Sequence, residues 1–145
     1  MKDLLNPYQK NSLRMTLQMF EENLRRALEW LDGREENGFL YTRKLNLPDE
    51  KKAQALGEIH TALGLIENLV HKFDLPKDAS DAASLLRGEL SVNWANLLDT
   101  RARKLNRYGK THRDLSGMLD SDIQKLAEIA LGLSSILGET RQEKS

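Results

Sequence analysis

The sequence predicts an all-α protein, an antiparallel four-helix bundle of up-and-down topology. Apolar side chains recur at steps of three and four along four long segments, a period that strands do not produce. Cap and stop residues stand where those segments begin and end: Asn6-Pro7, Gly33, Pro48, Pro76, Gly109 and Gly138. Few breakers fall elsewhere, because the 145 residues hold only three prolines and nine glycines. The helices are expected at roughly 7–32, 49–74, 79–108 and 112–137, in one domain spanning 1–145 with a polar, fraying tail at 139–145.

The first helix opens at Asn6, a good N-cap, with Pro7 at the first helical position. Its seam is Leu13, Leu17, Phe20, Leu24, Ala27 and Leu31, and Gly33 suits the residue just past its end. The second follows Pro48, carries Asp49 and Glu50 in its first turn, and repeats Leu56, Ile59, Leu63, Ile66, Val70 and Phe73. Asp74-Leu75-Pro76 ends it. The third, from Asp78 or Ser80 to Tyr108, shows Leu86, Leu90, Trp94, Leu97, Leu98 and Leu105, and Gly109 stops it. Thr111 to Asp114 has the form of a capping box. The fourth helix then places Leu119, Ile123, Leu126, Ala130, Leu133 and Leu137 on one stripe and ends at Gly138. Gly117 and the Asp120-Ser121-Asp122 run are positions where it can break. Four rods of similar length, each with one apolar seam, bury those seams by packing together. The short links at 75–79 and 109–111 alternate the last three helices. Residues 33–48 allow either an antiparallel turn or a crossover, with Phe39-Leu40-Tyr41 folding back over one end.

Composition narrows the function classes. Lys plus Arg and Asp plus Glu number 22 each, for zero formal net charge, which argues against a globally basic nucleic-acid coat. Cysteine is absent, which removes disulfides, thiolate metal sites and a cysteine nucleophile. No run approaches the ~20 apolar residues of a membrane span, and the first residues lack the apolar stretch of a signal peptide. A cytoplasmic protein with no membrane association is expected.

Met15, Met19 and Trp30 lie on the back of the first helix, opposite Leu17 and Leu24. Leu85 and Val92 lie opposite Trp94, and Leu65 adds to the second helix. Scattered surface hydrophobes are ordinary. A Trp and two Met on one helix back fit an interface, and a homodimer is expected to use it.

One segment breaks the charge balance. Residues 100–113 hold Arg101, Arg103, Lys104, Arg107, Lys110 and Arg113 and no acid. Cations favour a helix C-terminus through its dipole, by about 0.3–1 kcal/mol each within the last turn. That accounts for two or three of the six. Arg101, Arg103, Lys104, Lys110 and Arg113 are therefore candidate anion contacts, for a phosphate or an RNA backbone. On an unbroken helix Arg101 falls within the Leu90-Trp94-Leu97-Leu105 stripe, and Arg87, Trp94, Arg101 and Tyr108 recur at steps of seven. Either Glu67 pairs with Arg101 or its guanidinium snorkels to water. An anion held by Arg101 beside Trp94 is a weaker ligand reading.

Arg107 and His112, with four residues between them at the junction of the last two helices, resemble the Arg-x(4–6)-His signature of HEPN-domain proteins. The resemblance implies metal-independent ribonucleases or their relatives, with His112 in acid–base chemistry at the ribose and Arg107 on phosphate charge. Tyr108 stands where that family usually places a small polar residue.

No metal site is expected. His60, Glu67 and His71 share a sector of the second helix, but Glu67 and His71 are spaced Glu-x-x-x-His, not the Glu-x-x-His of di-iron bundles. No dinucleotide fingerprint, Walker loop or nucleophile elbow is present, and no cofactor is implied. The expected function is a non-enzymatic helical interaction module, dimeric, binding a protein or anionic partner. The alternative is the HEPN-like ribonuclease or an RNA-binding relative.

Overall fold

The computed structural model describes residues 4–142. The protein is mostly helical: α1 (Pro7–Leu31), β1 (Glu35–Asn37), β2 (Thr42–Lys44), α2 (Asp49–Phe73), α3 (Ala82–Leu98), α4 (Ala102–Leu105), a 3₁₀ turn (Asn106–Tyr108) and α5 (Leu115–Gln142). The contacts divide it into two compact units, one ending at Asp78 and the other beginning at Ala79.

In the first unit, α1 starts as its sequence predicts. The Asn6 side chain accepts the Gln9 amide at 2.8 Å, and the Gln9 side chain accepts the Asn6 amide at 2.9 Å, a reciprocal capping box. At the other end the Gly33 N–H donates to the Trp30 carbonyl and Arg34 N–H to that of Glu29, both at 3.1 Å. This is a Schellman closure, and Gly33 takes the left-handed φ of 97° it requires. α2 ends similarly on Asp74, at φ 49°. The two helices run antiparallel. Leu28 and Leu31 of α1 share a cavity with Ala53 and Leu56 at the start of α2, and Leu17 and Glu21 share another with Ile66 and Val70 near its end. Ile59, Ile66 and Leu75 are buried.

The link between them is an antiparallel hairpin, and of the two connections the sequence allowed it makes the antiparallel turn. Glu35 pairs with Lys44, Glu36 with Arg43 and Asn37 with Thr42. The Gly38 N–H closes it on the Tyr41 carbonyl at 2.9 Å, and Lys44 forms a 3.4 Å ion pair with Glu35. Two acids facing two cations across an Asn-Gly step are a hairpin signal that alternation of hydrophobicity could not supply. Phe39 and Leu40 at the tip are fully exposed, so this cluster does not fold back over the helices.

In the second unit, α3 begins at Ala82 with Asp81 as N-cap, its carboxylate accepting the Ala83 amide at 3.1 Å. The single helix expected over 79–108 is instead three pieces. The Thr100 N–H (2.9 Å) and hydroxyl (2.6 Å) both donate to the Leu97 carbonyl, a local side-chain competition that ends the α-helical ladder. Arg101 is extended, at φ −66° and ψ 155°, and α4 starts after it. The Ala102 N–H donates at 2.8 Å to the carboxylate of Asp120 on α5. A residue 18 positions away thus helps fix the break.

α5 corrects four further expectations. It begins at Leu115, three residues late, because the Asp114 amide goes to His112 Nδ1 at 3.1 Å. It passes unbroken through Gly117 and Asp120-Ser121-Asp122, since helix interiors tolerate glycine at about 1 kcal/mol. It also passes Gly138 and reaches Gln142, while 143–145 of the expected tail lie outside the described residues. Its inward face is rotated from the expected stripe: Ala130 of that stripe is buried together with Ala127, whereas its Leu126 and Leu133 are exposed. Small residues there fit a close approach to α3. The pair is antiparallel, with Gly138 beside the Arg87 guanidinium and Asp120 beside Ala102.

Candidate anion-binding site

The 101–113 segment is built from α4, the 3₁₀ turn and the loop to α5. Asp120 takes the first free N–H of α4, and the Asn106 carboxamide oxygen accepts the Thr111 amide at 3.1 Å across the turn. Gly109, at φ 150°, reverses the chain where a side chain would be strained.

Arg101 is not part of an apolar helical stripe, because the helix breaks before it. Its Nε donates to the Leu98 carbonyl at 3.0 Å and it is half-buried. The line of Arg87, Trp94, Arg101 and Tyr108 is lost for the same reason. Glu67 is exposed and lies 3.9 Å from His71 on its own helix. Arg101, Arg103 and Lys104 line a cavity of about 280 Å³ with Asp120, whose carboxylate already holds the Ala102 amide.

None of Arg101, Arg103, Lys104, Arg107, Lys110 and Arg113 forms an ion pair among the described residues. All but Arg101 are exposed. Six uncompensated cations in thirteen positions create a local positive potential on a chain of zero net charge.

The Arg107 guanidinium lies 4.9 Å from the Tyr108 ring centroid, a cation–π contact. His112 is 73% exposed, with Asp114 3.6 Å from its Nδ1. The Asp114 backbone N–H donates to that same nitrogen at 3.1 Å. Each member of the Arg107–His112 pair thus contacts a residue one or two positions away in sequence, and neither lines the cavity formed by Arg101, Arg103, Lys104 and Asp120.

Met15 and Met19 are exposed, and Trp30 is half-buried with Arg34 5.7 Å from its ring. The sequence did not single out a second exposed stripe on α5, formed by Met118, Leu126, Ile129, Leu133 and Ile136. Nor did it point to Asp120 as the cap of α4, since only the fold brings those positions together. Among the described residues no three His, Cys, Asp or Glu side chains cluster to hold a metal, and no helix is long and apolar enough to cross a membrane. The chain matches no family model, no curated protein and no solved structure.

Proposed function

We propose that this protein is a non-enzymatic, cytoplasmic helical interaction module that binds an anionic partner through residues 101–113. The observation that carries the proposal is the absence of ion pairs on all six cations of that segment among the described residues. Cations kept only for a helix dipole would need to number two or three. Although other cations of the chain also lack ion pairs among the described residues, only this segment gathers six in thirteen positions that hold no acid. Heparin, a base-free polyanion, is the test ligand. Replacing Arg103, Lys104, Lys110 and Arg113 together with Ala should abolish its binding at low salt while the helical circular dichroism is kept. Unchanged heparin binding by that variant, or none by the unmutated protein, rejects the assignment.

The exposed apolar stripes support a second part of the reading, that two copies associate and bury them in an antiparallel four-helix bundle. The stripes are Met15 and Met19 on α1, and Met118, Leu126, Ile129, Leu133 and Ile136 on α5. A helix pair covers only one face of each member, and apolar stripes left in water favour association. Sedimentation equilibrium of the full chain should give a dimer, and Ile129→Asp with Leu133→Asp should give a monomer.

The HEPN-like ribonuclease with Arg107 and His112 is the alternative. It is favoured by the exposure of His112. It requires metal-free RNA cleavage that His112→Ala abolishes without changing the circular dichroism. An unmutated protein that cleaves no RNA eliminates it.

A further inference from the structure

We propose that Tyr108 is a base-stacking platform and that the anionic partner is a single-stranded nucleic acid, a narrowing that rests on the polyanion reading above. A phosphate chain by itself needs only cations. An exposed aromatic ring set among those cations offers a different contact, to the flat face of an unpaired base.

Tyr108 is 76% exposed. The backbone that carries it is fixed by local hydrogen bonds. Tyr108 sits on the 3₁₀ turn, which the Gly109 N–H closes on the Asn106 carbonyl at 3.2 Å and the Asn106 side chain ties to Thr111. The Arg107 guanidinium is associated with the ring. Unlike Arg34, which contacts Trp30 but is also ion-paired with Glu29, Arg107 has no carboxylate partner among the described residues. Its charge stays available to a phosphate beside the stacked base. Arg103 and Lys104 precede the ring and Lys110 and Arg113 follow it, so cations flank the platform in both chain directions. Asp114 and Asp120 are each engaged, with His112 and with the Ala102 amide. An acidic peptide or an anionic lipid surface would use the cations but has no planar group to match the ring.

The test is fluorescence anisotropy on the full chain with three probes: a single-stranded RNA of about 12 nucleotides, the same sequence as a duplex, and heparin. The unmutated protein should bind the single strand more tightly than the duplex. Tyr108→Ala should weaken single-strand binding by roughly 5- to 100-fold, with heparin binding unchanged, and Tyr108→Phe should retain it. If Tyr108→Ala leaves single-strand affinity unchanged, or the duplex binds at least as tightly as the single strand, stacking is overturned while the polyanion reading stands. Tighter binding of an acidic peptide or of anionic vesicles than of the single strand also overturns it. Failure of heparin and both RNAs to bind would remove the polyanion reading itself.

Discussion

The two units differ in how densely their cations gather. In the first, Arg25 lies 2.8 Å from Glu21, Lys44 lies 3.4 Å from Glu35, and Arg34 is paired with Glu29. Arg14, Arg26, Arg43, Lys51, Lys52, Lys72 and Lys77 have no ion pair among the described residues but are scattered among acids along the chain. In the second, six cations between Arg101 and Arg113 have no carboxylate partner among the described residues. The residue types are the same. Pairing cancels the local field and contributes little else, because exposed ion pairs are worth about 0–1 kcal/mol. Leaving the charges open keeps a field that a polyanion can meet. What sets the 101–113 segment apart is density: six cations and no acid in thirteen positions.

The largest effect that sharpens this contrast is on binding. The Arg103, Lys104, Lys110 and Arg113 to Ala variant should lose roughly 100-fold or more in heparin affinity, whereas Arg25, Arg34 and Lys44 to Ala together should change it less than about twofold, measured side by side at low salt. Equal losses would erase the difference between the units. A single strand that engages four of these cations should bind about 50-fold more weakly after a fourfold rise in salt, from a slope near 0.7 per contact. A flat salt titration would show that the charges are not in contact with phosphate.

Stability gives smaller effects. Ala127 is fully buried between α3 and α5, so Ala127→Leu should overpack that pair and cost about 1–3 kcal/mol in urea unfolding. Asp120→Ala removes the acceptor of the Ala102 amide and should cost about 1–2 kcal/mol. It also takes a negative charge from the wall of the cationic cavity, so heparin should bind more tightly to this less stable variant. Loss of both stability and affinity would mean that Asp120 acts only by holding the segment in shape. Arg25→Ala should be the smallest change, within about 0.5 kcal/mol, as an exposed pair predicts.

Much of the helical content was legible because it depends on near neighbours. Asn6-Pro7 and Gly33 bound α1 through contacts three to five residues apart, and α2 covers nearly the span its seam and Pro48 indicated. The break at Asp99–Arg101 was missed because the apolar period runs on through Leu105, hiding a stop made by one threonine and a distant aspartate. The α5 seam was placed by its spacing on Leu126, Ala130 and Leu133; Ala130 is buried, but the close approach to α3 selects Ala127 beside it and leaves Leu126 and Leu133 exposed. The basic segment was visible as composition. Its lack of ion pairs, and the exposure of Tyr108 beside Arg107, could not be seen without coordinates.

The sequence by itself determined that this chain forms helices, where α1 and α2 begin and end, and that its positive charge gathers between positions 101 and 113. Those properties follow from hydrogen bonds and side-chain spacing within one or two helical turns. The tertiary structure decided which face of α5 turns inward, where the third helix breaks, and which cations remain without carboxylates. Each of these depends on groups far apart in the chain meeting in space, and no local pattern encodes that meeting.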